Sequence, residues 1–189
     1  MTEITESRAD WPQSWCISYD LFAFIRRELG DEGTILELGS GWGTNVLSKY
    51  YTTYSVESEK EWLDKYDSNY IYAPIVKYDS ETPPPDIPGL AKLGKKKQSG
   101  WYDANILREK LSGLSYDLIL VDGPKARVGR GGFYVWLDLF DTSVPIIFDD
   151  IIEDGEFILM EKVAAKLGKS YQLLPDGIRD DDSFGVVDG

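Results

Sequence analysis

A short apolar strand pattern, Thr34 to Leu38, runs directly into Gly39-Ser40-Gly41-Trp42-Gly43-Thr44, and a second strand pattern, Thr53 to Glu57, follows. Glycines at 39, 41 and 43 let the backbone turn sharply and leave no Cβ atoms between it and a ligand. A helix predicted over residues 44–50 would present its free N-terminal amides to the same place. Fourteen residues past Gly43, Glu57 closes the second strand, where a carboxylate can accept both hydroxyls of a ribose. A nicotinamide-dinucleotide turn would read G-x-G-x-x-G, but position 44 is Thr, and Trp42 would crowd a pyrophosphate.

The rest of the chain keeps the same alternation. Residues 18–29 carry Leu21, Phe22, Ile25 and Leu29 at helical spacing, with Gly30 as the stop. Ser58 and Glu61 have the spacing of a capping box for the helix after the second strand. Tyr70 to Val76 is a weaker third strand, Tyr102 to Leu111 a helix, and Tyr116 to Val121 an apolar strand. Phe133 to Phe140 reads as a short helix and Val144 to Phe148 as another buried strand. Glu156 to Leu167 is amphipathic. Tyr171 to Leu174 and Phe184 to Val187 form a terminal hairpin around the acidic loop Asp176 to Asp182. Strands alternating with helices imply an α/β protein, its mostly parallel sheet covered on both faces. At 189 residues the whole chain, 1–189, makes one domain. Residues 78–100, rich in Pro and Gly and carrying Lys95 to Lys97, break the rhythm and read as an insertion or lid.

Two strands deliver acids at their carboxyl ends. The first leads into Asp122-Gly123-Pro124-Lys125, and the next, 27 residues on, into Asp149-Asp150. Neighbouring parallel strands would bring all three carboxylates to one edge, where they repel unless protons or a cation separate them. A hard cation such as Mg²⁺ is the natural resolution. Taken alone, Asp150 could cap a helix and Asp122 begin a turn. Arg127 and Arg130 flank a Gly-rich turn, as substrate-holding guanidiniums or as a solvated loop. Trp101 and Tyr102 either stack on adenine or substrate or pack the helix that follows.

Composition removes several alternatives. A net charge of −13, with 33 acids against 20 bases, argues against a nucleic-acid partner. The absence of histidine excludes every triad or metal site that needs one. A single cysteine, Cys16, suits a reducing, cytoplasmic compartment. The apolar runs are too short for a bilayer, and the acidic N-terminus does not read as a signal peptide.

The glycine turn, with Glu37 two residues before it and Glu57 beyond, resembles the first motif of class I S-adenosylmethionine-dependent methyltransferases. That resemblance implies a single-domain Rossmann-like fold with a seven-stranded sheet and a C-terminal antiparallel hairpin. It implies S-adenosylmethionine held by Glu37, Gly39, Ser40, Gly41, Gly43, Glu57 and Ser58, with Trp101 and Tyr102 near the adenine. Asp122-x-x-Lys125 followed by Asp149-Asp150 is similar to the metal-dependent O-methyltransferases of the catechol and caffeoyl-coenzyme A type. Asp122, Asp149 and Asp150 would then hold Mg²⁺ or Mn²⁺, with Lys125 as general base and Asp122 beside it in the catalytic set. That family usually has Asn at the position of Asp150. Val121 to Pro124, the turn Gly129 to Gly132, and Phe148-Asp149-Asp150 are also similar to methyltransferases of polysaccharide and glycan pathways. They imply an acceptor hydroxyl on a sugar or glycan.

Overall fold

Ser18 starts the first helix with its own side chain. In the computed structural model, which describes residues 11, 16–81, 83–84, 86–87, 98–151, 154–175 and 183–189, its hydroxyl accepts from the Leu21 amide at 3.0 Å. Helix α1 (Tyr19–Leu29) ends on Gly30, whose φ of 72° lets its N–H turn back to the Arg26 carbonyl. The other helices are α2 (Trp42–Leu47), α3 (Ala104–Leu111), α4 (Gly132–Val135) and α5 (Asp154–Leu167). The strands are β1 (Thr34–Leu38), β2 (Thr52–Glu57), β3 (Asn69–Tyr72), β4 (Ile75–Lys77), β5 (Gly100–Tyr102), β6 (Leu118–Val121), β7 (Ile146–Phe148), β8 (Tyr171–Pro175) and β9 (Ser183–Val187).

Seven of these strands form one sheet in the order β3-β2-β1-β6-β7-β9-β8. β3, β2, β1, β6 and β7 run parallel, and β9 pairs antiparallel with both β7 and β8. This is the Rossmann-like, mostly parallel sheet with a terminal hairpin that the sequence implies. The order reverses between β1 and β6, and the rule for such sheets puts the ligand crevice beyond the carboxyl ends of these two strands.

The apolar runs are continuous because both faces are covered. Ile35, Leu118, Leu120 and Ile147 pack with Leu21, Phe22 and Ile25 of α1 and with Val46 and Leu47 of α2. The alternate residues Leu36, Leu38, Ile119, Val121 and Phe148 face Leu107 of α3, Phe133 of α4, and Leu159, Met160 and Val163 of α5. Among the described residues no helix is long and apolar enough to cross a membrane.

Local expectations shift where a specific residue overrides the pattern. The strand expected from Tyr70 to Val76 breaks in two. Pro74 offers no N–H to a ladder and restricts Ala73. β3 therefore stays in the large sheet, and β4 leaves to pair antiparallel with β5. The capping box at Ser58 does not form, because the Ser58 and Glu59 amides both donate to the Glu57 carboxylate, and only a 3₁₀ turn, Lys60–Trp62, follows. α2 begins at Trp42, two residues before the expected start, with the Gly41 amide on the Thr44 hydroxyl at 2.9 Å. Tyr102 ends β5, and Asp103 caps α3 instead through the amides of Asn105 and Ile106. The short helix expected at 133–140 is one α turn and one 3₁₀ turn. Of the insertion or lid expected at 78–100, residues 82, 85 and 88–97, with the lysine run, lie outside the described residues. Ile87 within it is buried in the α3–α5 core. The acidic loop 176–182 also lies outside the described residues.

Candidate functional site

The floor of the crevice is a contact between two glycines. Gly39, at φ 92°, follows β1, and a Cβ there would come 3.1 Å from the Gly123 N and Cα. A Cβ on Gly123 would come 2.7 Å from the Gly39 Cα and 2.6 Å from the Tyr102 hydroxyl. Backbone bonds brace the approach: the Asp122 amide donates to the Leu38 carbonyl at 3.1 Å, and the Gly39 amide to that of Val56 at 2.9 Å. Gly43 serves packing, since a Cβ there would meet Ile17 at 3.1 Å.

Glu57 reaches the turn from the end of β2. Its Oε2 accepts from the Ser40 amide at 3.2 Å and the Ser40 hydroxyl at 2.8 Å. Its Oε1 accepts from the amides of Ser58 at 2.5 Å and Glu59 at 2.7 Å. The carboxylate thus spans the Gly-rich turn and the start of the next loop, with its acceptor sites held by the chain's own donors. Ser40 and Ser58 are thus both tied to this carboxylate.

Glu37 lies beneath the turn and is buried. Its Oε2 accepts from the hydroxyls of Thr44 at 2.8 Å and Ser55 at 2.6 Å, so one carboxyl ties β1 to α2 and β2. Burial pushes its pKa up to about 7 against the opposing pull of the two hydroxyls. Its contacts make it the brace that holds Gly41 and Thr44 in place.

The sheet edge brings Asp122, Asp149 and Asp150 together, and the cation among them is Arg130. This side chain is buried, with 5% of it exposed. Its Nη2 donates to Asp122 Oδ1 at 3.1 Å, Asp150 Oδ2 at 3.0 Å and the Asp122 carbonyl at 2.6 Å. Its Nη1 donates to the Asp149 carbonyl at 2.9 Å. Arg130 is therefore committed to the acids, and the sequence, which grouped it with Arg127 as a substrate ligand, did not anticipate this. The readable signal was an arginine among glycines in a chain with three acids at adjoining strand ends. Gln98, also unmarked by the sequence, fixes that turn: its Oε1 accepts from the Gly131 amide at 2.8 Å.

The donor set does not suit the expected divalent metal. The guanidinium bridges Asp122 and Asp150, and among the described residues no three acidic or cysteine side chains converge as ligands. Withdrawal from bulk water pushes the Asp122 pKa up to about 7; Arg130 opposes the rise, and Asp150 and Glu37 add to it. Asp149 is also pushed well above the usual carboxylate range by burial, then by Asp122 and Asp150. Cys16 lies within reach of these charges, and burial, reinforced by Asp149 and Asp122, lifts its thiol to about 12. It is no nucleophile at neutral pH.

Lys125 and Arg127 point elsewhere. Glu59 accepts from the Lys125 ammonium at Oε2 and from Arg127 at Oε1, the latter at 3.1 Å. The hydrogen bond from Lys125 holds the Glu59 carboxyl below its ordinary range. These groups line a cavity of about 280 Å³ together with Ser58, Ile75 and Lys77. Trp101 and Tyr102 are core residues, at 1% and 2% exposure, rather than an open stacking platform. Trp101 lies flush against Gly132, and Tyr102 against Gly123.

No family model and no curated protein sequence matches the chain. Among solved structures it is similar to the MycE methyltransferase of the mycinamycin biosynthetic pathway, in a complex with Mg, SAH and mycinamycin VI. There the identity is 14% over 89% of this chain and 44% of that one, with a TM-score of 0.46. The chain thus spans less than half the length of MycE. It is also similar to a methyltransferase-like protein from Silicibacter pomeroyi, at 19% identity over 90% of this chain and 86% of that one, TM-score 0.47. A methyltransferase from Pyrococcus furiosus shares 14% identity over 90% and 82% of the respective chains, TM-score 0.48.

Proposed function

We propose that the crevice binds S-adenosylmethionine and that the chain methylates a hydroxyl of a sugar or glycan without a divalent metal. The observation that carries the reading is Glu57. Its carboxylate meets Ser40 in the Gly39–Gly43 turn at the point where the strand order reverses. A ribose diol there would exchange its two hydroxyls for the Ser40 donors on Oε2. Gly39 and Gly41 leave the approach free of side chains, and Glu37 holds the turn from below. When bound, the cofactor supplies an electrophilic methyl group on a sulfonium.

The chain's own part is to orient the acceptor and to take its proton. Asp122 sits beside the turn with a pKa of about 7, so near neutral pH its carboxylate is available yet basic enough to accept the hydroxyl proton. Arg130 holds that carboxylate in place and supplies the positive charge that three adjoining acids require. The Lys125 side chain is engaged by Glu59, away from the acid cluster that Arg130 holds. The remaining acceleration comes from alignment, which is worth roughly 7–11 kcal/mol in well-oriented systems.

Calorimetric titration of S-adenosylhomocysteine into the wild-type protein and Glu57→Ala tests the reading. One-site binding is expected, weakened about 10- to 100-fold in the variant, as for the loss of charge-assisted hydrogen bonds. Wild-type protein that does not bind would overturn the assignment. Equal binding by both would remove Glu57 from the site.

A further inference from the structure

We infer that the methyl acceptor carries an anionic group, a carboxylate or a phosphate, and that the cavity beside Glu57 holds it through Lys77, Lys125 and Arg127. Naming the bound molecule as the acceptor rests on the methyl-transfer reading; the anion site rests on the cavity itself.

In a chain of net charge −13, most of the surface repels anions. Here three cationic side chains, Lys77, Lys125 and Arg127, converge on one cavity that Glu59 alone among its lining residues opposes. Glu59 is divided between Lys125 and Arg127, and Lys77 has no carboxylate partner among the described residues. The cavity therefore holds an excess of two positive charges over Glu59. A carboxylate or phosphate could displace Glu59 from the Arg127 fork, which binds such planar or multi-oxygen groups at two points.

The walls are built from paired backbone. The turn after β6 is closed by bonds from the Val128 and Gly129 amides to the Lys125 carbonyl, at 2.7 and 3.2 Å. It is joined to the paired strands β4 and β5 by the Ser99 amide on the Val128 carbonyl at 2.8 Å. At about 280 Å³ the cavity is near the lower end of small-ligand sites, which run from about 300 Å³ upward. That suits one acidic group and the ring that bears it. It adjoins the cofactor crevice because Ser58 and Glu59, which line it, also donate their amides to Glu57. An acceptor anchored here by its charge would extend toward Asp122, three residues before Lys125.

The test is a titration of ¹⁵N-labelled protein at low ionic strength with sodium acetate, sodium phosphate and, as a neutral control, glucose. S-adenosylhomocysteine is titrated into the same samples. Saturable amide shifts at Ser99 and Val128 are expected with acetate or phosphate and not with glucose, and the anion that acts identifies the group. In Lys77→Gln/Arg127→Gln, two exposed positions, the anion affinity should fall at least tenfold while the rest of the spectrum is unchanged. No localised shift in the wild type, or the same affinity in the double variant, overturns the anion site. S-adenosylhomocysteine shifts at Gly39 to Gly41 without an anion response leave the cofactor reading standing and remove this inference. An anion response without S-adenosylhomocysteine binding keeps the site and removes its assignment to a methyl acceptor.

Discussion

Gly39 and Gly123 touch backbone to backbone at the carboxyl ends of β1 and β6, so closely that a Cβ on Gly123 would lie 2.7 Å from the Gly39 Cα. This contact sets the distance between the glycine turn and Asp122, the two halves of the candidate site. A third residue, Tyr102, is enclosed at this contact, its hydroxyl filling the space beside Gly123.

Gly123→Ala should therefore act on both halves at once. The added methyl meets backbone on one side and the Tyr102 hydroxyl on the other, so the loops must part. Urea unfolding is expected to show a loss of about 1–3 kcal/mol, as for overpacking. Calorimetry should show weaker S-adenosylhomocysteine binding in the same variant. Gly113→Ala, at a position with open space but φ 77°, serves as the control: some strain and unchanged binding.

The proposed role of Asp122 as base gives a direction for the pH profile. The group must be ionised to accept a proton, and its pKa is raised to about 7. With an acceptor in hand, kcat/KM should climb as pH passes through about 7 and level off above it. Asp122→Asn should reduce turnover by roughly 10²–10⁴-fold, the usual contribution of a general base. A profile that is flat from pH 5.5 to 8.5 would assign the proton elsewhere.

Arg130 governs both stability and metal response. Arg130→Met leaves buried carbonyls and the acid cluster without their donor, and should cost about 1–3 kcal/mol in thermal or urea unfolding. Arg130→Lys, which keeps the charge, should cost less. Wild-type protein saturated with S-adenosylhomocysteine should bind no Mn²⁺ stoichiometrically by electron paramagnetic resonance. One bound Mn²⁺, abolished by Asp149→Ala, would restore the acids as metal ligands.

Glu37 makes a separate prediction for stability against pH. Its carboxyl has a pKa of about 7 in the fold and 4.5 as the ordinary value, so between these limits the folded state holds the proton more tightly. Stability from this group is present at low pH and is lost as pH rises from about 4.5 to about 7. Glu37→Gln removes the titration and keeps an oxygen for Thr44 and Ser55. The difference in unfolding free energy between wild type and variant should move in the variant's favour from pH 5 to pH 7.5.

Some of the site was legible residue by residue. The turn at Gly39 to Gly43 and the acid at Glu57 could be read because they follow strand endings set by local burial patterns. Asp122 and Asp149-Asp150 were placed on one edge for the same reason, since adjacent parallel strands end together. Arg127 and Lys125 were marked as functional, but not their partner. Glu59, 66 residues before Lys125, showed no pattern that would pair them. Trp101 and Tyr102 left packing and stacking equally open, and their burial against Gly132 and Gly123 decides for packing.

The sequence by itself determined the α/β alternation, the apolar strands, the glycine turn and the acids at strand ends. These follow from backbone sterics and from the period of two with which strand side chains alternate between faces. Only the tertiary structure decided which cation meets which acid. Arg130 turns inward between Asp122 and Asp150, while Lys125 and Arg127 turn to Glu59 and share a cavity with Lys77. Ion pairing depends on distance and burial in space, which sequence separation does not encode, and a long flexible side chain reaches whichever acid the fold brings within its span.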